Sequence, residues 1–392
     1  MTESRILSLN AGSSSLKFSL WQMGSAEERE LWTGAAEGLG GADARLWLRR
    51  EGQSTKSLDH KVVMRDVPAA IAALFELCKE QQLATPQAVG HRIVHGGPHH
   101  SAPCLIDAAL VAELRGLIPW APLHLPAALA ALEATTQHYP TLPQVACFDT
   151  AFHRKLPEVA QRFPLPRALW EQGVRRYGFH GLSYEYIVAF LGNELGERTV
   201  VAHLGNGASL TALRAGQPVD TSMGFTPLGG VMMGTRSGDL DPGVLVYLLT
   251  TCGYDTRSLA RMLERESGLL GVSGETSDLK QLLDRREHNP HAAQALESFC
   301  YSVRKQIGAY AAVLGGLDML VFTGGIGERA SWVREQVCQP LGYLGIALDL
   351  EANTHAASHS ERISRSESTC QVRVVATDEA RMIARHTRDL TA

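Results

Sequence analysis

Ile6-Leu7-Ser8-Leu9-Asn10-Ala11-Gly12-Ser13-Ser14-Ser15-Leu16-Lys17-Phe18-Ser19-Leu20 consists of two apolar, β-prone runs around a turn of Asn, Gly and three Ser, with one lysine just beyond it. A strand–turn–strand of this kind presents backbone N–H groups, hydroxyls and an ammonium around a tight bend, which suits phosphate oxygens and a metal. Gly12 lets the backbone approach a ligand and Lys17 supplies a point charge. Taken singly, the pattern also reads as a plain hairpin connection. Its recurrence adds weight to the phosphate reading.

The second copy is Thr199-Val200-Val201-Ala202-His203-Leu204-Gly205-Asn206-Gly207-Ala208-Ser209-Leu210-Thr211-Ala212-Leu213, again two apolar runs about a Gly/Asn turn. A third glycine cluster, Val321-Phe322-Thr323-Gly324-Gly325-Ile326-Gly327-Glu328, follows a β-type run and precedes residues 330–337, which read as the start of a helix. Strand, glycine turn and helix start together aim amide groups at an anion or a nucleotide. Three such turns point to a nucleotide gripped between two similar halves.

At 392 residues the chain is too long for one ordinary core, so two domains are expected, with the boundary in a turn near Thr150. The formal charge of −4, with no run of Lys or Arg, argues against a nucleic-acid partner. The seven cysteines are scattered, odd in number and contain no Cys-x-x-Cys, as in a reducing cytoplasm. No apolar run reaches membrane-spanning length and no signal-peptide pattern opens the chain.

Strand-like and helical stretches alternate from end to end. Residues 67–79, 108–117, 127–136, 184–191, 242–250 and 292–314 read as helices, and 88–94, 145–148, 319–322 and 372–376 as strands, with a last helix near 380–386. The chemistry-bearing residues fall at the ends of these elements. Gly90-His91-Arg92-Ile93-Val94-His95-Gly96-Gly97 sets an arginine beside a glycine turn, where it is either a surface residue or a fork for a carboxylate or phosphate. His91, His95, His99 and His100 imitate a metal cluster, but Gly96, Gly97 and Pro98 break the helix that spacing would need. Asp149 ends an apolar run, either as an N-cap for the residues after it or as a catalytic acid. His180 stands between Gly178-Phe179 and Gly181, unusual for a packed core histidine, and residues 223–242 form a long glycine-laced loop holding Arg236, Asp239 and Asp241.

Asn10 to Lys17, His91 to Gly97, Phe148 to His153, Arg176 to Gly181, His203 to Gly207, Met223 to Pro242 and Gly324 to Glu328 together resemble the acetokinase family, in its order and over nearly the whole chain. That resemblance implies an α/β fold of two duplicated domains of the actin-like ATPase (ribonuclease H-like) type with an interdomain nucleotide cleft. It implies an N-terminal domain of residues 1–149 joined by the C-terminal helix 380–392, and a nucleotide-binding domain of residues 150–379. It also implies a cytoplasmic homodimer that reversibly transfers the ATP γ-phosphate to acetate, giving acetyl phosphate and ADP, with Mg²⁺ or Mn²⁺ as metal.

Carried over by position, Asn10 and Glu379 match the magnesium site and Lys17 a nucleotide-phosphate contact. Arg92 matches the carboxylate-binding arginine, Asp149 the catalytic aspartate, and His180 and Arg236 the groups that stabilise the transferring phosphoryl. Val94, Leu123, Phe179 and Pro227 match the pocket for the acetate methyl. His203, Leu204, Gly205, Asn206 and Gly207, Asp278, Leu279 and Lys280, and Gly324, Gly325, Ile326, Gly327 and Glu328 match the ATP-binding segments. Three positions depart from the family pattern. Lys280 replaces an arginine, keeping the charge and losing the planar fork; Ala380 replaces the second of two paired acids; and Leu125 stands where Asn commonly follows His124. Propionate or another short acid is the alternative acceptor within the family. A superfamily sugar kinase would need groups for hydroxyls, and a non-catalytic nucleotide sensor would not need Arg92, His180 and Arg236 together.

Overall fold

In the computed structural model, which describes residues 3–24, 27–53, 55–356 and 360–392, the opening hairpin forms as read. Strands β1 (Ser4–Ala11) and β2 (Ser15–Met23) pair antiparallel with Asn10 directly opposite Lys17. The sheet continues through β3 (Glu28–Glu37), β4 (Arg45–Arg50) and β5 (Leu58–Lys61) on one side. On the other side β6 (Ala88–Ile93) and β8 (Gln144–Phe148) run parallel to β1, and the two-residue strand β7 (Cys104–Leu105) closes the edge antiparallel.

Both faces of this sheet are covered, so Ile6, Leu7, Ser8 and Leu9 of β1 are buried in succession. Leu7 and Leu9 join Phe18, Ile71 and Leu74 in a core with the helices Val67–Glu80 and Leu125–His138. Ile6 packs with Trp21 and Ala384 beneath the helix Glu379–Thr391. By strand alternation Ser8 and Asn10 share that second face, and Ser8 Oγ donates to the carbonyl of Ala380 at 2.7 Å. The helix lies directly on β6 at Gly90, where a Cβ would stand 2.4 Å from Ile383 Cγ2.

A second sheet repeats the topology. Strands β9 (Arg198–Leu204), β10 (Ala208–Arg214) and β11 (Gln217–Thr221) form an antiparallel meander, β12 (Met319–Thr323) and β14 (Gln371–Val374) add parallel, and the two-residue β13 (Glu361–Arg362) closes the edge antiparallel. Thus β1, β2, β3, β6 and β8 correspond to β9, β10, β11, β12 and β14. The long helix Pro290–Leu314 packs on β9 and β10. It is started by the Asn289 cap with Pro290 in its first turn, and ended by Gly315 at φ +74°.

The chain divides into a first unit of Met1–Phe152, Gly181–Tyr186 and Asp378–Ala392, and a second of His153–His180 and Ile187–Thr377. One expectation needs adjusting. The helix read from residue 330 begins earlier, because Gly324 at φ +76° turns the chain straight from β12 into the helix Gly324–Arg329. Ala330 then leaves helical geometry before the helix Ser331–Cys338.

Candidate active site

In the first unit the candidate residues gather at the carboxyl ends of β6 and β8, the region where open parallel sheets commonly bind ligands. Arg92, near the end of β6, donates from Nε to Asp149 Oδ1 at 3.0 Å and from Nη2 to Asp149 Oδ2 at 2.5 Å. Nη1 donates to Asn10 Oδ1 at 3.1 Å, and Glu379 Oε2 lies 3.9 Å from Nε. The Asp149 side chain is 1% exposed and that of Arg92 17%. Burial opposes the guanidinium charge, but the charges of Asp149 and Glu379 and the hydrogen bond to Asp149 outweigh it, so the Arg92 pKa lies above its ordinary value.

The Asp149 carboxylate grips Arg92, and the chain beyond it makes a 3-10 turn, Phe152–Lys155, rather than an α-helix. Among the described residues three of the five guanidinium N–H groups are engaged, leaving one on each terminal nitrogen. Asn10 Oδ1 and the Glu379 carboxylate are hard oxygen donors of the kind Mg²⁺ takes. Among the described residues no three His, Cys, Asp or Glu side chains converge as a cage, so an ion here would keep most of its waters. Lys17 is exposed across the strand pair from Asn10. Val94 is buried just past the end of β6, and Leu123 is half-buried in the turn before the helix Leu125–His138.

In the second unit His180 has left-handed backbone geometry, φ +58° and ψ +26°, as the residue that starts the helix Gly181–Leu191. Its Nδ1 lies 2.9 Å from Ser209 Oγ, and its ring stacks on His203 with centroids 4.3 Å apart. Arg236 Nη1 donates to the carbonyl of Pro227 at 3.0 Å. A Cβ placed on Gly207 would stand 3.4 Å from both Arg236 Nη1 and His180 Nε2, so both donors face the β9–β10 turn. The buried Phe179 accepts a bond from His153 Nε2 at 3.0 Å through its carbonyl.

The two glycine loops adjoin. A Cβ on Gly324 would stand 2.8 Å from the carbonyl oxygen of Leu204, and Thr323 pairs in register with His203. Glu328 Oε1 accepts from the N–H of Gly324 at 3.0 Å and from that of Thr377 at 3.2 Å. Asp278 lies apart from these contacts. Its carboxylate caps the helix Leu279–Arg285, accepting from the N–H groups of Lys280 and Gln281, and those bonds hold its pKa low. Leu279 is half-buried and Lys280 exposed.

The acetokinase family model matches residues 5–385. The chain belongs to the acetokinase family. It is 45% identical over 391 residues to an acetate kinase of Rhodopseudomonas palustris, covering 97% of each chain. It is 43% identical over 395 residues to an acetate kinase of Sulfurovum sp., covering 98% of each. Among solved structures, acetate kinase of Porphyromonas gingivalis matches at TM-score 0.88 and 39% identity, over 99% of this chain and all of that one. A propionate kinase of Francisella tularensis matches at TM-score 0.91 and 35% identity, over the same shares. The family resemblance and the mixed α/β fold read from the sequence are both borne out.

Ser209 and Asp378, which the sequence does not single out, support these groups. Ser209 holds the His180 ring, and no local signal sets it apart from other strand serines. Asp378 caps the helix Glu379–Thr391; its pKa is raised to about 6, mainly by burial. Its position directly before Glu379 was the one available cue.

Proposed function

We propose that this acetokinase-family phosphotransferase moves the γ-phosphate of ATP to acetate, reversibly and in one in-line step, giving acetyl phosphate and ADP. The observation that carries the reading is the Arg92 cluster. A guanidinium locked by a buried aspartate, with one N–H left on each terminal nitrogen, suits a ligand carboxylate. Acetate is ionised at neutral pH, so it needs orientation rather than a strong base. Asp149 orients Arg92, and Arg92 holds the nucleophile. An acetate oxygen attacks the γ-phosphorus, the bond to the β,γ-bridging oxygen breaks, and ADP leaves with that electron pair.

His180 Nε2 and Arg236 Nη1 donate to the equatorial oxygens as charge spreads over them. The left-handed backbone of His180 and the Ser209 and Pro227 contacts fix both donors beforehand, so little reorganisation accompanies the reaction. Residues 203–207 and 324–328 with Lys17 hold the nucleotide phosphates, and 278–280 the nucleoside. Asn10 and Glu379 would hold Mg²⁺, which when bound neutralises phosphate charge. By position in the family, Val94, Leu123, Phe179 and Pro227 are assigned to the acetate methyl.

The helix Pro242–Thr250 is apolar yet buries no residue in the single chain, with Val246 60% and Tyr247 56% exposed. This supports a homodimer as the working form. Among the described residues no helix is long and apolar enough to cross a membrane, and the cytoplasm, where ATP is supplied, is the proposed location.

The match to a propionate kinase favours propionate as a second reading. Purified protein with ATP, Mg²⁺ and acids of two to four carbons, with acyl phosphate trapped as hydroxamate, separates the two. Acetate should give the highest kcat/KM. One methylene is worth about 1–3 kcal/mol, so propionate should be poorer without being excluded. Preference for propionate would replace the acceptor and leave the phosphoryl chemistry standing.

A further inference from the structure

The helix Gly324–Arg329 is only six residues long, so its internal hydrogen bonds do little to fix its direction. A side chain from the next helix does so instead. Arg334 is 1% exposed, among the largest fully buried side chains of the protein. Its Nη1 donates to the carbonyls of Gly327 and Glu328, both at 2.9 Å. Its Nε donates to Asn353 Oδ1 at 2.8 Å and its Nη2 to the Asn353 carbonyl at 2.6 Å. Asn353, itself buried, is anchored by a bond from Nδ2 to the Ser331 carbonyl at 3.0 Å.

Among the described residues every hydrogen-bond acceptor of this buried guanidinium is an uncharged oxygen, and burial pushes its pKa down to about 10. A buried charge without an ionic hydrogen-bond partner is a poor way to fill a core, since an apolar side chain of similar volume would be less costly. What the guanidinium supplies is direction. Peptide planes are rigid, so pinning the carbonyls of Gly327 and Glu328 also fixes the amides that follow them and the axis of the short helix.

We propose that Arg334, braced by Asn353, is a positioning residue for nucleotide: it sets the orientation in which the glycine loop 324–328 meets the phosphates of ATP. This rests on the reading of that loop as a nucleotide loop. Arg334 makes no contact with substrate in this account and acts through the two carbonyls. A tilt of an ångström in such a loop is enough to cost much of its binding.

The test uses the full chain with Mg²⁺ and measures the ATP and acetate KM, kcat, and the Kd for MgADP in Arg334→Met, Arg334→Lys, Asn353→Ala and Gly324→Ala. Arg334→Met keeps the volume and removes the donors; it should raise the ATP KM and the MgADP Kd about tenfold or more while the acetate KM stays within twofold. Arg334→Lys can reach one carbonyl and should recover part of the loss. Asn353→Ala removes the brace and should move the same constants by a smaller factor, and it decides the matter if Arg334→Met does not fold. A structural role alone would lower Tm and leave the nucleotide constants within twofold, which overturns the proposal. Gly324→Ala distorts the loop directly, through its φ of +76° and the Leu204 carbonyl. If it weakens MgADP binding while the Arg334 and Asn353 variants do not, only the role of Arg334 fails. If Gly324→Ala leaves binding intact, the nucleotide reading of the loop fails and the inference with it.

Discussion

Gly207→Ala isolates the phosphoryl-stabilising pair without touching either member. The backbone of Gly207 is outside the left-handed region, so alanine is allowed there, and the nearest contacts of the new methyl, at 3.4–3.5 Å, are ordinary. Stability should therefore change little. It should rise by up to about 0.5 kcal/mol if anything, since alanine restricts the unfolded chain. The nearest contacts are Arg236 Nη1 and His180 Nε2 and Cε1, so the methyl occupies the space where both donors meet. A phosphoryl oxygen bonded to both would lie about 2.8–3.0 Å from each nitrogen, overlapping that methyl. A hydrogen bond to a charged group contributes about 1.5–3 kcal/mol. Losing most of one and weakening the other costs roughly 2–4 kcal/mol in the transition state, a fall in kcat of about 30- to 1,000-fold. Hydroxamate-coupled kinetics give kcat and thermal unfolding gives Tm. An unchanged Tm with kcat within about threefold of the parent would refute the placement of the phosphoryl at this turn.

Truncating Arg92 to alanine should raise the acetate KM by roughly 30-fold or more and leave the ATP KM within about twofold, since one partner of a buried charge pair is lost to the ligand at about 2–5 kcal/mol; steady-state kinetics in both substrates checks it. Arg236→Lys should lower kcat by more than it raises either KM, because an ammonium cannot reproduce a guanidinium fixed by the Pro227 carbonyl, and full activity would mean that net charge alone matters there. Asp378 is protonated in the folded protein up to about pH 6, against an ordinary 3.8. Its ionisation therefore costs stability that grows from pH 3.8 and is complete above pH 6. Asp378→Asn, which keeps the helix cap, should add about 1–3 kcal/mol at pH 8 and nothing at pH 4 in denaturant unfolding. An equal gain at both pH values would show that the charge is not the cause.

Most elements are legible in the chain because they depend on local pattern. Residues 67–79 and 242–250 form helices where apolar spacing and a first-turn proline place them, and the Asn10 and Asn206 turns join strand pairs as read. The duplication surfaced as repeated glycine turns, and the shared topology of the two sheets gives it substance. What stayed hidden depends on distant chain. Asp149 reads as cap or catalyst in the sequence, and its pairing with Arg92, 57 residues earlier, shows only in the fold. Arg334 lies unremarked in the helical stretch 330–337, and only the fold closes Asn353 and the carbonyls of Gly327 and Glu328 around it. The Asp278 segment matches a nucleotide contact by position, while its carboxylate caps a helix, a local use that the residue type permits equally.

Direct phosphoryl transfer from ATP to a carboxylate oxygen leaves an isotopic trace. With ATP, Mg²⁺ and acetate carrying ¹⁸O in both oxygens, ³¹P NMR of the turnover mixture should show acetyl phosphate whose phosphorus resonance is shifted by one bound ¹⁸O, formed one-to-one with ADP. ADP appearing with inorganic phosphate and no ¹⁸O-shifted acetyl phosphate would contradict the account.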